Sequence, residues 1–289
     1  MMKTPTFPLV SICIPIYNGE AFLAKALASV TTQTYPNLEV VVSDDRSSDA
    51  SLAIVEQFQQ EVDFPVRIFS HEPQGIGANW NHCVAKAKGQ YIKFLFQDDV
   101  LLPTCVEKMV EAFQQFPEVG LVACKRDFIL NKEKDEATER WLKSFGDLQA
   151  HLEGDDQNLL FLDHRIYGRK DFLKSPKNIV GEPTTVMFSR NIINKIGWFR
   201  EDFKQSLDYE FYYRVLVFSQ ILILPEVLVQ FRLHEKQATE VNRSNKILDY
   251  DLYPEIVYQS YKKFLHPEVR KELWRKYSVT GRIITKFGL

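Results

Sequence analysis

The sequence predicts an α/β protein built on an open, mostly parallel sheet flanked by helices, on three observations. Its apolar runs are continuous rather than alternating, as over residues 7–16, which suits strands covered on both faces. Strand-like and helix-like segments alternate at short spacing through residue 124, the rhythm of right-handed βαβ units. Three strands run into polar clusters, Tyr17-Asn18, Asp44-Asp45 and Asp98-Asp99, and the carboxyl ends of parallel strands share the edge where open sheets bind ligands.

The first strand covers residues 7–16, and Tyr17-Asn18-Gly19-Glu20 turns the chain. Phe22, Ala26, Leu27 and Val30 recur at helical spacing, so a helix runs to about Gln33, and Pro36-Asn37 breaks it. Residues 38–42 form the second strand, after which Ser48 or Asp49 can cap a helix with Leu52, Ile54, Val55 and Phe58 on its apolar face. A short third strand covers residues 66–69. Gly75-Ile76-Gly77 opens a helix that Gly89 stops. The fourth strand, residues 91–96, leads straight into Gln97-Asp98-Asp99, and Val106, Met109, Val110 and Phe113 mark the helix after it. Residues 119–124 read as a fifth strand. From Asn131 to about Asn178 the rhythm gives way to charged sequence, read as a loop with one or two helices laid over the sheet. A strand over residues 184–188, a helix over 209–218, and two strands, 221–224 and 227–231, around Pro225 follow. After His234 the chain is polar, then helical to its end.

Composition bounds the function. A hydrophobic share of 45% and a charged share of 26% over 289 residues are those of a soluble globular protein. A net charge of −2 supplies no field that would select nucleic acid. No apolar run is long enough to cross a bilayer, and no secretory segment follows Met1-Met2-Lys3-Thr4-Pro5. Four cysteines, Cys13, Cys83, Cys105 and Cys124, lie in apolar segments without close pairing, as buried reduced thiols do, and point to a cytoplasmic protein.

Two adjacent carboxylates at a strand end repel each other unless something positive lies beside them. A divalent cation holding a phosphate supplies that charge, and hard oxygen ligands suit Mg or Mn. A helix N-cap near Pro103 accounts for Asp98 or Asp99 equally simply. Gly75-Ile76-Gly77 is not a dinucleotide fingerprint, because Trp80 holds the place of its third glycine.

Taken together, residues 10–18, Ser43-Asp44-Asp45-Arg46-Ser47-Ser48-Asp49, Gly89-Gln90-Tyr91-Ile92 and Gln97-Asp98-Asp99 resemble the family 2 glycosyltransferases of GT-A fold in order and spacing. Gly197-Trp198-Phe199, Asp208 with Arg214, and Phe231-Arg232-Leu233-His234 extend the likeness over about residues 8–240. The resemblance implies a nucleotide-sugar donor, a UDP-sugar by preference, held by Asp45 at the base and by Pro15, Tyr17 and Asn18 beside it. Asn79 and Asn81 are expected over the donor. Asp99 and Asp98, with His234 as a further metal ligand or phosphate partner, correspond to the acidic motif that holds Mn or Mg; His234 satisfied within its loop is the plainer alternative. Phe96 stands where the common Asp-x-Asp-Asp pattern has its first carboxylate. Asp208 matches the catalytic base of an inverting enzyme, and it also suits an N-cap. Leu207 replaces the acid that many relatives carry before it.

Residues 1–240 are therefore expected to form the transferase domain, with residues 131–178 as a variable insert and 241–289 as a helical extension. The extension is basic, with Lys262, Lys263, Arg270, Lys271, Arg275, Lys276, Arg282 and Lys286 against Glu268 and Glu272. Trp274, Tyr277, Ile283, Ile284 and Phe287 interleave, so it suits either peripheral contact with an anionic membrane or an ordinary solvated helix face. The expected activity is inverting, metal-dependent sugar transfer to a saccharide or lipid-linked acceptor in cell-surface polysaccharide or glycolipid assembly. A non-catalytic nucleotide-sugar binding module is the alternative of a different class. A nucleotidyltransferase would be expected to place a glycine-rich basic loop after the first strand, and Tyr17-Asn18-Gly19-Glu20 is not one.

Overall fold

Strand β1 (Val10–Ile16) is buried along its length between two parallel neighbours, β2 (Leu38–Asp44) and β4 (Tyr91–Phe94), and β3 (Val66–Ser70) continues the parallel run beyond β2. The crossovers are α1 (Glu20–Thr31), α2 (Ser51–Glu61) and α3 (Ile76–Lys86). After β5 (Val100–Leu101) and α4 (Cys105–Gln115) comes β6 (Val119–Leu130); α5 (Glu136–Phe145) and β7 (Leu160–Leu162) follow, then β8 (Val186–Ser189), α6 (Ile193–Ile196), α7 (Leu207–Val215) and β9 (Gln220–Leu233). Three helices close the chain: α8 (Asp249–Tyr261), α9 (Pro267–Tyr277) and α10 (Val279–Phe287). This computed structural model describes residues 7–130, 135–156, 158–235, 237 and 247–287. The charged run at 131–134 and the polar stretch at 238–246 lie outside them, as do the first six residues.

Among the described residues nine strands form one sheet, ordered β3-β2-β1-β4-β8-β6-β9-β5, with β7 paired to β9. The α/β sheet flanked by helices matches expectation, but the sheet is mixed. β8 is antiparallel to both β4 and β6, and β5 and β7 are antiparallel to β9. The cause is local: the chain enters β8 through the 3-10 turn Pro183–Thr185, beside the carboxyl end of β4, so β8 must run back along β4.

Alternate residues of the central strands feed two cores. Ile12, Ile14, Val40 and Val42 pack on one face, and Cys13 and Val41 on the other, as period-two geometry requires. The two strands expected around Pro225 are one, β9, which pairs with β6 through register shifts near Cys124 and Lys125. Such shifts let a strand carry a proline that cannot donate to the ladder. β7 falls in the segment read as loop and helices. The C-terminal helices are less separate than the expected extension: Tyr253, Val257, Tyr261, Leu265, Val269 and Leu273 belong to the same buried cluster as Phe94 and Phe188 of the sheet.

Candidate active site

The ends of β1 and β2 lie side by side, with Ile16 opposite Asp44 and the Asp45 N–H bonded to the Ile16 carbonyl at 3.0 Å. The three polar clusters therefore meet on one edge, as expected. Asn18, in the left-handed region at φ 49°, accepts from Ser48 N–H at 2.8 Å, and its own N–H donates to Ser47 Oγ at 2.9 Å. Its side-chain oxygen and backbone N–H thus join two loops. Tyr17 projects into solvent at 55% exposure, and its backbone is clamped by the Gln97 amide at 2.9 and 3.2 Å. A Cβ at Gly19 would push the Gln97 amide out of this clamp. Pro15 is buried within β1 opposite Ser43, behind the crevice rather than in it.

Asp45 presents an acceptor without a donor: its Oδ1 is buried and has no hydrogen-bond partner. Burial pushes its carboxyl above the usual range, with His71 opposing and Asp44 adding to the rise. His71 Nε2 lies 3.6 Å from that oxygen and 3.2 Å from Asn79 Oδ1, while its Nδ1 donates to the Glu72 carbonyl at 2.8 Å. Asn79 also donates to the Ile16 carbonyl at 3.2 Å, so it and Asp45 both lie beside His71. Asn81 does not. Its Nδ2 donates to the Phe199 carbonyl and to Glu201, and its Oδ1 accepts from Phe199 N–H, each at 2.9 Å. The expected donor role of Asn81 is corrected to a clamp on the loop before α7.

Asp98 and Asp99 part company. The Asp99 side chain is 1% exposed; its Oδ2 accepts from Thr184 Oγ1 at 2.5 Å and its Oδ1 from Arg232 N–H at 3.0 Å. Burial, then the neighbouring Asp98 charge, raises its carboxyl well above the usual range. Asp98 instead reaches His234, Oδ2 to Nε2 at 2.9 Å, and Arg232 Nε fixes its carbonyl at 2.8 Å. His234 rests on the Phe22 ring, centroids 5.0 Å apart. Each Asp99 oxygen thus accepts from a protein donor, whereas the Asp98 carboxylate faces His234. One carboxylate and one imidazole suit Mn or Mg only when substrate oxygens complete the set, which is how such ions are commonly held by diphosphates. Among the described residues no group of three or more His, Cys, Asp or Glu side chains forms a closed metal site. Phe96, in place of the missing carboxylate, packs against Trp80 at 5.1 Å between ring centroids.

Asp208 lies in the first turn of α7, whose N-cap is Ser206, so Asp208 is not the cap. Its Oδ2 accepts from Asn178 Nδ2 at 2.8 Å, and its Oδ1 is buried with no partner. Burial, with Glu182 adding, pushes its carboxyl up to about 7, against the pull of neighbouring N–H groups and Asn178. Glu182 is ion-paired with the buried Arg126 and acts on both Asp208 and Asp99, so it links the two acidic sites. Glu210 is engaged by Arg214 at 3.0 Å. Asp249 of α8, 1% exposed, accepts from the N–H groups of Lys204, Gln205 and Ser206 at 2.7 to 3.2 Å and so fixes the entry to α7.

Sequence reasoning missed His71, Asn178, Thr184, Arg126 and Asp249. His71 carried a usable signal, since it follows a third strand on the same sheet edge. Asn178 and Asp249 carried none, being polar residues in polar stretches. Lys93, buried in β4 and donating to the Thr184 carbonyl, is legible only as an oddity in an apolar run.

A family model described as glycosyl transferase family 2 matches residues 11–197. An uncharacterized protein of Mycobacterium tuberculosis is 33% identical over 244 residues, 83% of this chain and 71% of its own length. An uncharacterized glycosyltransferase of Rickettsia typhi is 27% identical over 253 residues, 86% of this chain and 72% of its own. In fold, the chain resembles S. aureus TarS in complex with UDP-GlcNAc, at a TM-score of 0.63 and 18% identity, over 93% of this chain and 71% of that one. It also resembles the Pyrobaculum calidifontis mannosyltransferase PcManGT in complex with GDP-Man and Mn2+, at a TM-score of 0.58 and 15% identity, over 98% and 80%.

Proposed function

The chain belongs to glycosyl transferase family 2 and is a glycosyltransferase, and from that premise we propose inverting, metal-dependent transfer of a sugar from a nucleotide-sugar donor to an acceptor hydroxyl. The observation that carries this reading is the unpartnered, buried Asp208 Oδ1, a proton acceptor at an open α/β sheet edge that also holds an open Asp98–His234 pair.

In this reading Asp45, bordered by His71 and Asn79, receives an N–H of the base. UDP-sugars are favoured, and TarS was solved with one, UDP-GlcNAc. Asp98 and His234 hold the cation, with Asp99 as the buried support of their loop. When bound, a divalent cation neutralises the charge that develops on the nucleoside diphosphate. Asp208 takes the acceptor's proton as the acceptor oxygen attacks the anomeric carbon and the diphosphate leaves from the opposite face, which inverts that centre. A carboxyl that titrates near neutral pH is matched to such work.

The acceptor class we favour is a saccharide or lipid-linked acceptor of cell-surface assembly, met on the cytoplasmic side of a membrane. No helix among the described residues is long and apolar enough to cross a membrane. Contact would then be peripheral, through the basic C-terminal helices, where Val279 and Ile283 are 67% and 50% exposed. A thermal-shift panel of UDP-, GDP- and dTDP-sugars with and without Mn2+ tests the donor reading. A donor raises the unfolding midpoint by mass action. No shift with any of them would overturn it.

A further inference from the structure

Asp208 is held by a residue that belongs to no motif. Asn178 lies in the turn between the insert and β8, and its amide is fully used. Its Oδ1 accepts from Val180 and Gly181 N–H, both at 3.0 Å, and its Nδ2 donates to the Gly181 carbonyl and to Asp208 Oδ2, both at 2.8 Å. The orientation of this amide is settled by its surroundings, because two N–H groups face one end and two oxygens face the other. The turn itself is fixed from three sides. Tyr213 of α7 donates to the Lys177 carbonyl, and buried Gln149 donates to the Ile179 carbonyl at 2.7 Å and the Val180 carbonyl at 3.2 Å. Gly181 holds φ 141°, a value that favours glycine, and a Cβ there would meet Thr185 Oγ1.

We propose that Asn178 is a positioning residue for the base: it engages Asp208 Oδ2 and thereby leaves Oδ1 as the oxygen that takes the acceptor's proton. The inference rests on the assignment of Asp208 as base. The acceptor O–H bond breaks and its proton passes to Oδ1. The oxygen forms its bond to the anomeric carbon, and the electrons of the broken bond to phosphate leave with the nucleoside diphosphate. A donor on Oδ2 fixes the carboxylate plane and stabilises its ionised form. The other groups that face Asp208 are Glu182, paired with Arg126, and the hydroxyls of Tyr209, Tyr212, Tyr213 and Tyr250. Burial raises all four tyrosines above their ordinary range, so at neutral pH they are uncharged hydroxyls. Asn178 thus supplies a neutral donor to a carboxylate that burial and Glu182 both oppose.

The test is a titration of the Asp208 carboxyl carbon by NMR in the full chain, which needs no donor or acceptor. Asn178→Ala is expected to move the midpoint up by about one pH unit. Asn178→Asp keeps the two bonds accepted from Val180 and Gly181, gives up the one donated to the Gly181 carbonyl, and replaces the donor to Asp208 by a second carboxylate. Its midpoint is expected to rise further. Release of UDP from UDP-GlcNAc with Mn2+, water serving as acceptor, gives the kinetic arm. The acid limb of kcat should shift by the same amount, with about a fivefold loss at pH 7 that recovers at higher pH, and with the donor KM unchanged. A folded Asn178→Asp protein whose Asp208 titrates as in wild type would overturn the inference. So would loss of turnover at every pH without a shift of the limb, which is the mark of a structural role. Asp208→Asn in the same assay separates the two levels. Full activity there removes the base assignment and this inference with it, whereas an inactive Asp208→Asn beside a wild-type Asn178 profile removes this inference alone.

Discussion

Asp98 and His234 meet at 2.9 Å, Oδ2 to Nε2, across 136 positions of sequence. The pair is what distinguishes Asp98 from its neighbour. If it holds the cation, Asp98→Ala and His234→Ala should each weaken Mn2+-dependent UDP binding on the order of tenfold to a hundredfold, as loss of a charged interaction does. Chelation should bring wild type to the level of the variants while leaving the variants unchanged. Calorimetric titration of UDP with Mn2+ and then with excess chelator decides it, and equal wild-type affinity in both conditions would remove the metal.

Asp99 should behave differently. Asp99→Ala removes the acceptor of two buried donors, Thr184 Oγ1 and Arg232 N–H. The expected loss is about 3 kcal/mol of stability in urea unfolding. Asp98→Ala should unfold near the wild-type midpoint. A stable Asp99→Ala protein that fails to bind metal would restore Asp99 as the principal ligand.

If Asp208 is the base, its removal should cost activity and yield stability. Asp208→Asn is expected to lower turnover by on the order of 10² to 10⁴ with the donor KM unchanged. Burial raises the Asp208 carboxyl to about 7, above its unfolded value of 3.8. Between those pH values the folded state holds the proton that the unfolded state has lost, so this group favours folding at low pH and the benefit disappears as pH rises through about 7. Asparagine carries no such dependence. The variant should therefore gain in thermal midpoint relative to wild type at pH 8, and gain less at pH 5. A gain that grows toward acid pH contradicts the direction of the shift.

Base recognition is separable from phosphate binding. Asp45→Ala removes the unpartnered oxygen beside His71 and should weaken uridine and UDP by similar factors, about tenfold, because the lost bond involves no phosphate. Saturation titrations of both ligands measure this. If uridine binding is unchanged, Asp45 does not touch the base.

Asp249 ties the C-terminal helices to chemistry. Asp249→Ala strands three N–H groups just ahead of α7 and should lower stability by about 3 kcal/mol and turnover with it. Asp249→Asn, which keeps an acceptor oxygen, should recover most of both. Urea unfolding and UDP release from UDP-GlcNAc follow the two effects separately.

The sequence by itself determined the first four strands of the βαβ run, the continuous burial of β1, β2 and β4, and the edge on which the polar clusters meet. The physical reason is that apolar period and run length are local properties, and parallel βαβ units place strand ends on one side without further information. Asp45 and Asp98 stood out for that reason, whereas Asp208, in the first turn of α7, was singled out only by its resemblance to the family's motif. The mixed half of the sheet was not legible, because the direction of β8 depends on where the chain re-enters beside β4. Nor was the division of labour between Asp98 and Asp99, which are equivalent as text. One backbone step turns one carboxylate toward His234 and the other onto Thr184, and those partners come from the residue after β9 and from the turn before β8. Asn178 and Asp249 reach the base and the loop before it from 30 and 43–45 positions away. No periodicity records such pairings, because a side-chain hydrogen bond at that range exists only once packing has brought the two segments within 3 Å of each other.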